Sequence, residues 1–220
     1  MNDATSGGAA RPLVAVLDYG IGNLRSAQKA LEVAGADARL TADHDLIAAA
    51  AGVVLPGVGA FGRCMEAAHH SGVGALAIEA AATGRPFLGI CVGLQMMYEG
   101  SDESPGVAGL GILSGRITLL PDGVKRPQMQ WNRLDRPRPS ALLDGLGDEP
   151  WVYFVHSYAP ADPTHAVGTC EYGGTIVAAV ERDNVWGCQF HPEKSGATGL
   201  RILRNFVQRC AAVTPATAGR

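Results

Sequence analysis

Short, unbroken apolar runs alternate with longer stretches of helical periodicity through the first hundred residues. Residues 13–18 read as a buried strand, because a run with no polar alternation suits a strand covered on both faces. A turn rich in Gly and Asn follows, and the spacing then predicts a helix over 24–34 that stops at Gly35. Residues 52–55 form a second buried strand, and 60–82 read as helical with a break at 71–74. Residues 87–90 form a third strand that passes directly into a helix reaching about residue 98. This alternation predicts a parallel sheet covered by helices.

The pattern changes in the second half. Residues 116–120, 151–156, 167–171, 175–180 and 185–190 are β-like runs, separated by turn signals such as Tyr172-Gly173-Gly174, and a last helix spans about 198–210. The expected fold class is therefore α/β. It has three layers, a mostly parallel central sheet with helices on both faces, and an antiparallel β extension in the C-terminal half. No linker or repeat divides residues 12–212, which read as one domain, with 1–11 and 213–220 as tails poor in large apolar residues.

Composition narrows the partners. Of 220 residues, 47% are hydrophobic and 18% charged, with a net charge of −3 and no basic stripe, so neither nucleic acid nor an anionic membrane is expected. No apolar run reaches the ~18–20 residues of a membrane helix, and residues 1–11 lack the layout of a signal peptide. The cysteines are Cys64, Cys91, Cys170, Cys188 and Cys210. An odd count with no C-x-x-C pair argues against disulfides and structural zinc and points to the reducing cytoplasm.

Two distant segments carry the candidate chemistry. In Gly89-Ile90-Cys91-Val92-Gly93, a strand meets a helix at a cysteine flanked by glycines at −2 and +2, the cysteine form of a nucleophile elbow. The helix start would favour a thiolate, the Val92 N–H would face an oxyanion, and Gln95, one turn on, would hold a polar part of the substrate. Taken alone, a core cysteine between packing glycines explains the run equally well. The second segment, Gln189-Phe190-His191-Pro192-Glu193-Lys194-Ser195, changes that balance. In extended backbone His191 and Glu193 share a face, and a carboxylate beside an imidazole supports the base of a Cys–His pair. A third segment, Pro56-Gly57-Val58-Gly59, lies at another strand-to-helix junction, where backbone N–H groups can approach an oxyanion; taken alone, a flexible loop feeding a helix is the better reading. Asp18-Tyr19-Gly20-Ile21-Gly22-Asn23 begins like a dinucleotide fingerprint, but Arg25 occupies the third glycine position, so NAD binding is rejected. No metal-ligand cluster and no cofactor motif is recognised.

With these residues in view, the elbow and the distant His-Pro-Glu resemble the class I (triad) glutamine amidotransferases. More narrowly, the segments 18–24, 56–61, 127–132, 153–158 and 191–195 together are similar to the family of glutaminase subunits of imidazole glycerol phosphate synthase, and they run from Asp18 to Ser195, nearly all of the chain between the two tails. The resemblance implies that Cys91, His191 and Glu193 form the triad and that glutamine is the substrate. Gly57, Val58, Gly59, Val92, Gln95, Ser157 and Tyr158 would serve glutamine or its oxyanion, the Gly57–Val58 peptide by turning its N–H inward. It also implies a heterodimer with a (β/α)8-barrel cyclase of histidine biosynthesis, with Met129, Trp131, Tyr153 and Lys194 at the mouth of an ammonia channel. For Met129 and Trp131, ordinary core packing is the plain alternative. One departure is Gln130, where the family usually has glycine; if that position requires positive φ, the loop is strained. Rival readings are an amidotransferase subunit for another acceptor, a free-standing cysteine hydrolase, and a regulatory subunit on a retired catalytic fold.

Overall fold

The computed structural model describes residues 10–213. Of the two expected tails, residues 1–9 and 214–220 lie outside the described residues. Arg11, at the inner end of the first, donates to the Glu32 carbonyl at 2.6 Å.

The expected strand–helix alternation is present and has one more unit than the hydrophobic pattern indicates. It runs β1 (Leu13–Leu17), α1 (Leu24–Ala34), β2 (Asp37–Thr41), α2 (His44–Ala49), β3 (Gly52–Gly57), α3 (Phe61–His70), α4 (Val73–Ala82), β4 (Phe87–Cys91) and α5 (Val92–Met96). Helix α1 buries Leu24, Ala27 and Leu31 on one face and ends at Gly35, whose φ of 109° is the left-handed conformation that closes a helix. The pair β2 and α2 escaped the sequence reading. Strand β2 lies at the sheet edge with mixed burial, and α2 is only six residues long, marked chiefly by Asp43, whose carboxylate accepts from the Leu46 N–H at 2.7 Å.

The remaining elements are β5 (Gly100–Ser101), β6 (Arg116–Leu119), β7 (Gln128–Arg133), β8 (Trp151–His156), β9 (Tyr158–Pro160), β10 (Ala166–Glu171), β11 (Thr175–Arg182), β12 (Val185–Cys188) and α6 (Gly196–Ala211). The main sheet has the order β10-β11-β12-β4-β3-β1-β2. Strands β12, β4, β3, β1 and β2 are parallel, and β11 and β10 extend the sheet antiparallel beyond β12. The antiparallel extension is thus smaller than the sequence suggests. The runs at 116–120 and 151–156 join separate small sheets, β5-β6-β9 and the β7–β8 ribbon.

From β1 the chain moves one way to β2 and then returns past β1 to β3. With right-handed crossovers, α1 lies on one face of the sheet and α2, α3 and α4 on the other, and α6 packs beside α1. The reversal between β1 and β3 opens a crevice at the carboxyl ends of the strands, where α/β sheets bind ligands. The 18–23 loop, Gly57 and Cys91 all lie at those ends. The core beneath them is continuous, from Leu17 and Leu55 through Leu88 to Phe190 and Phe206.

Candidate active site

The elbow is built by close backbone packing. Cys91 has φ 55° and ψ −116°, a conformation that costs a non-glycine residue on the order of 1–3 kcal/mol. It is retained because its neighbours leave no alternative. A Cβ on Gly93 would overlap the Leu55 carbonyl oxygen, and one on Gly89 would overlap the Met97 sulfur and lie 2.8 Å from the Leu94 Cα. Glycine is required at both positions, so β3 and the first turn of α5 pack directly against each other. Helix α5 ends at Met96, earlier than the sequence suggests, so any stabilisation of a Cys91 thiolate comes from the local N–H groups of its first turn.

His191 reaches this elbow from the loop after β12, the parallel neighbour of β4. It is 2% exposed, its N–H donates to the Tyr153 carbonyl (3.0 Å), and its carbonyl accepts from the Ser195 hydroxyl (2.6 Å). The Ser195 hydroxyl in turn accepts from the Tyr153 N–H (2.9 Å), which ties the turn to β8. His191 is extended as expected, but Pro192–Lys194 is a single 3-10 turn, so no extended strand places the carboxylate beside the ring. The turn achieves the same pairing: Nδ1 of His191 lies 2.7 Å from Oε1 of Glu193, with both side chains buried. This directs Nδ1–H at the carboxylate and leaves Nε2 for the thiol. Burial pulls the His191 pKa down, but hydrogen bonding to Cys91 and Glu193 more than reverses this and lifts it to about 9. The second oxygen of Glu193, Oε2, is buried without a protein partner.

Cys91 and His191 open on a cavity of about 340 Å³ that is also lined by Val58, Gly59, Val92, Gln95, Ser157, Tyr158 and Lys194. Of the residues expected to serve the substrate, only Gly57 is absent from this lining. It pairs with Cys91 in the sheet register, and a Cβ there would lie 2.5 Å from the Gly93 nitrogen. The Gln95 amide NH2 is already bound to the Tyr158 carbonyl (3.0 Å) and the Gln189 side-chain oxygen (3.1 Å), which leaves its own carbonyl oxygen as an acceptor. The Ser157 and Tyr158 carbonyls are also engaged, by Leu120 N–H and by Gln95 and His156. A larger surface hollow, about 900 Å³ around Arg136, Arg138 and α6, shares no residue with this cavity.

The sequence reading missed three contributors. Among the described residues Glu103 is the only carboxylate lining the cavity, and it is anchored by the Phe61 N–H at 2.7 Å. Gln189 sits with its NH2 3.9 Å from the Cys91 sulfur. His156 is held neutral, as burial lowers its pKa to about 4 despite its bond to the Tyr158 carbonyl. Its Nδ1 lies 2.9 Å from the Tyr158 carbonyl oxygen and its Nε2 3.0 Å from the Gln128 side-chain oxygen, while the Gln128 NH2 faces the Cys170 sulfur. Glu103 lies in no singled-out segment; Gln189 and His156 lie in the segments 189–195 and 153–158, but nothing local there gives their partners, which the fold supplies.

The segment 127–132 falls largely on strand β7, paired with β8 so that Met129/Val155, Trp131/Tyr153 and Arg133/Trp151 share one face. Met129 and Trp131 are 61% and 47% exposed, which overturns core packing for both. Trp131 meets Tyr153 edge to face at 6.0 Å, and Trp151 on the same face is exposed too. Gln130 lies in this strand without positive φ, so replacing the usual glycine strains nothing. Among the described residues, no three His, Cys, Asp or Glu side chains gather as a metal site, and no helix is long and apolar enough to cross a membrane.

Known proteins resemble this chain in sequence and in fold. The family model of class-I glutamine amidotransferases matches residues 15–210. Imidazole glycerol phosphate synthase subunit HisH of Synechococcus elongatus is 47% identical over 210 residues, covering 93% of this chain and 96% of that protein. The subunit of the same name from Methanothermobacter thermautotrophicus is 48% identical over 198 residues, covering 89% and 98%. Among solved structures, a glutamine amidotransferase superposes with a TM-score of 0.71 at 19% identity, covering 90% of this chain and 98% of that one. PurLQS from Thermotoga maritima superposes with a TM-score of 0.70 at 21% identity, covering 90% and 99%. At such identities these two structures speak for the fold alone.

Proposed function

Since this chain belongs to the class-I glutamine amidotransferase family, we propose that Cys91, His191 and Glu193 are the triad with which it hydrolyses glutamine. The protein is the glutaminase subunit of imidazole glycerol phosphate synthase, an enzyme of histidine biosynthesis. The observation that carries the site assignment is the strained Cys91 elbow facing the buried His191–Glu193 pair across one cavity.

In this mechanism the Cys91 thiolate attacks the side-chain carbonyl of glutamine. The N–H groups of Val58 and Val92 receive the oxyanion, and His191, protonated at neutral pH, gives its proton to the departing ammonia. Neutral His191 then takes a proton from water, which attacks the thioester and releases glutamate. Glu193 holds the ring in the required tautomer and supports its charge. Glu103 is suited to the substrate's α-ammonium, and Gln95 and the N–H groups near Ser157 and Tyr158 to its other polar atoms.

The partner is a (β/α)8-barrel cyclase bound as a heterodimer in the cytoplasm, with residues 12–212 acting as one amidotransferase domain. The exposed face of Met129, Trp131 and Tyr153 leads from the cavity wall at Val155, with Lys194 on the rim, and suits a partner that receives ammonia there. A glutaminase assay with and without the cyclase and its ribulosyl-formimino carboxamide ribonucleotide tests the reading. Turnover should be low in the lone subunit, high in the liganded complex and absent in Cys91→Ala, which should still bind the cyclase. Full turnover in the lone subunit would refute gating, and turnover in Cys91→Ala would refute the triad.

A further inference from the structure

Two buried side chains outside the triad grip the loop that carries Val58. Tyr19, from the loop after β1, donates its hydroxyl to the Pro56 carbonyl at 2.7 Å. Cys64, from the first turn of α3, donates its thiol to the Val58 carbonyl at 3.2 Å. Both are buried, at 4% and 0% exposure. The two carbonyls belong to the peptide planes on either side of the Gly57–Val58 peptide. That peptide is therefore the one plane in the segment left between two anchors, and its N–H is the Val58 donor. Gly57 presses its bare Cα on the elbow, since a Cβ would lie 2.9 Å from the Val92 carbonyl carbon. The segment is thus fixed by Tyr19 on one side, Cys64 on the other and the elbow beneath.

We propose that Tyr19 and Cys64 are positioning residues that set the orientation of the Gly57–Val58 peptide and so the alignment of the oxyanion donor. This rests on the reading above in which the Val58 N–H serves the oxyanion. A phenylalanine at 19 would fill the same space but leave the Pro56 carbonyl without its donor, and an alanine at 64 would do the same to Val58. Neither change touches Cys91 or His191. The effect should fall on the step in which negative charge develops, and glutamine binding should be spared.

The test compares Tyr19→Phe, Cys64→Ala and Cys64→Ser in the complex with the cyclase and its ribonucleotide ligand. Glutaminase kcat and KM are measured together with the rate of Cys91 alkylation by iodoacetamide, a displacement at carbon that needs no oxyanion donor. Removing an oxyanion donor outright costs about 10²–10³ in kcat, and misaligning one should cost about tenfold. Tyr19→Phe and Cys64→Ala should therefore lose about tenfold in kcat, with KM and alkylation unchanged. Cys64→Ser, which keeps a donor, should recover most of the rate. Wild-type kcat in Tyr19→Phe and Cys64→Ala, with Cys91 alkylated normally, would overturn the proposal alone. So would a Cys64→Ser variant as slow as Cys64→Ala, or a loss shared by the alkylation rate. Iodoacetamide that passes over Cys91, or a Cys91→Ala variant that still turns over, would overturn the triad and this proposal with it.

Discussion

Replacing Glu193 with glutamine separates the charge of the triad carboxylate from its shape. The amide oxygen of the variant can still accept the Nδ1–H across the 2.7 Å contact, so the ring keeps a partner but loses the anion. In the native protein the His191 pKa lies near 9, against an ordinary value of 6.5, because bonds to Cys91 and Glu193 outweigh a burial effect of opposite sign. A rise of that size corresponds to roughly 3 kcal/mol of preference for the imidazolium in the folded state, at about 1.4 kcal/mol per pH unit. Since the folded value is raised, that stability is fully present below pH ~6.5 and is lost as pH climbs through about 9. In Glu193→Gln the burial effect remains and one of its two opponents is gone, so the pKa should fall by at least about one unit and this alkaline loss should shrink accordingly. NMR titration of the His191 ring carbons gives the pKa directly, and urea unfolding at pH 6.5, 8 and 9.5 gives the stability slope. The kcat should drop by about 10² or more, because the imidazolium that protonates ammonia is no longer supported. An unchanged His191 pKa, or identical stability slopes in the two proteins, would refute this account of the triad.

Gly93→Ala should be among the most damaging small substitutions, since its Cβ would sit in the Leu55 carbonyl oxygen; a loss of about 3 kcal/mol or more, the upper range for overpacking, is expected in urea unfolding. Glu103→Gln should raise KM for glutamine about 10–100-fold with little change in kcat, the loss of one charge-assisted bond of about 1.5–3 kcal/mol. Trp131→Ala should weaken cyclase binding by about 2 kcal/mol in calorimetry, as an exposed aromatic anchor would. The same variant should leave the unfolding midpoint of the isolated subunit nearly unchanged.

The central strands were legible because burial on both faces leaves continuous apolar runs, as in residues 13–17 and 52–55. Strand β2 was not, because an edge strand mixes exposed and buried positions, and α2 is too short to show a period. Strand β7 was visible only as a motif. Its one buried position is polar, Gln128 against His156, while Met129 and Trp131 are exposed, the reverse of the usual code. At the site, the sequence marked the residues whose chemistry is bound to local backbone: a cysteine between two glycines, and a histidine two residues from a glutamate.

What the chain determined by itself was the set of local geometries. Gly89 and Gly93 permit the tight turn, Gly35 ends α1, and Pro192 fixes the turn that joins His191 to Glu193. What only the tertiary structure decided was which of these meet. Cys91 and His191 lie a hundred residues apart in sequence and come together because β12 pairs with β4 in parallel register. The same packing brings Glu103, Gln189, Tyr19 and Cys64 around the elbow from four separate segments. Contacts of that kind depend on side chains converging across elements, and no local periodicity records them. All five cysteines are buried, and the tertiary packing opens a cavity onto Cys91, the one that the sequence sets between glycines.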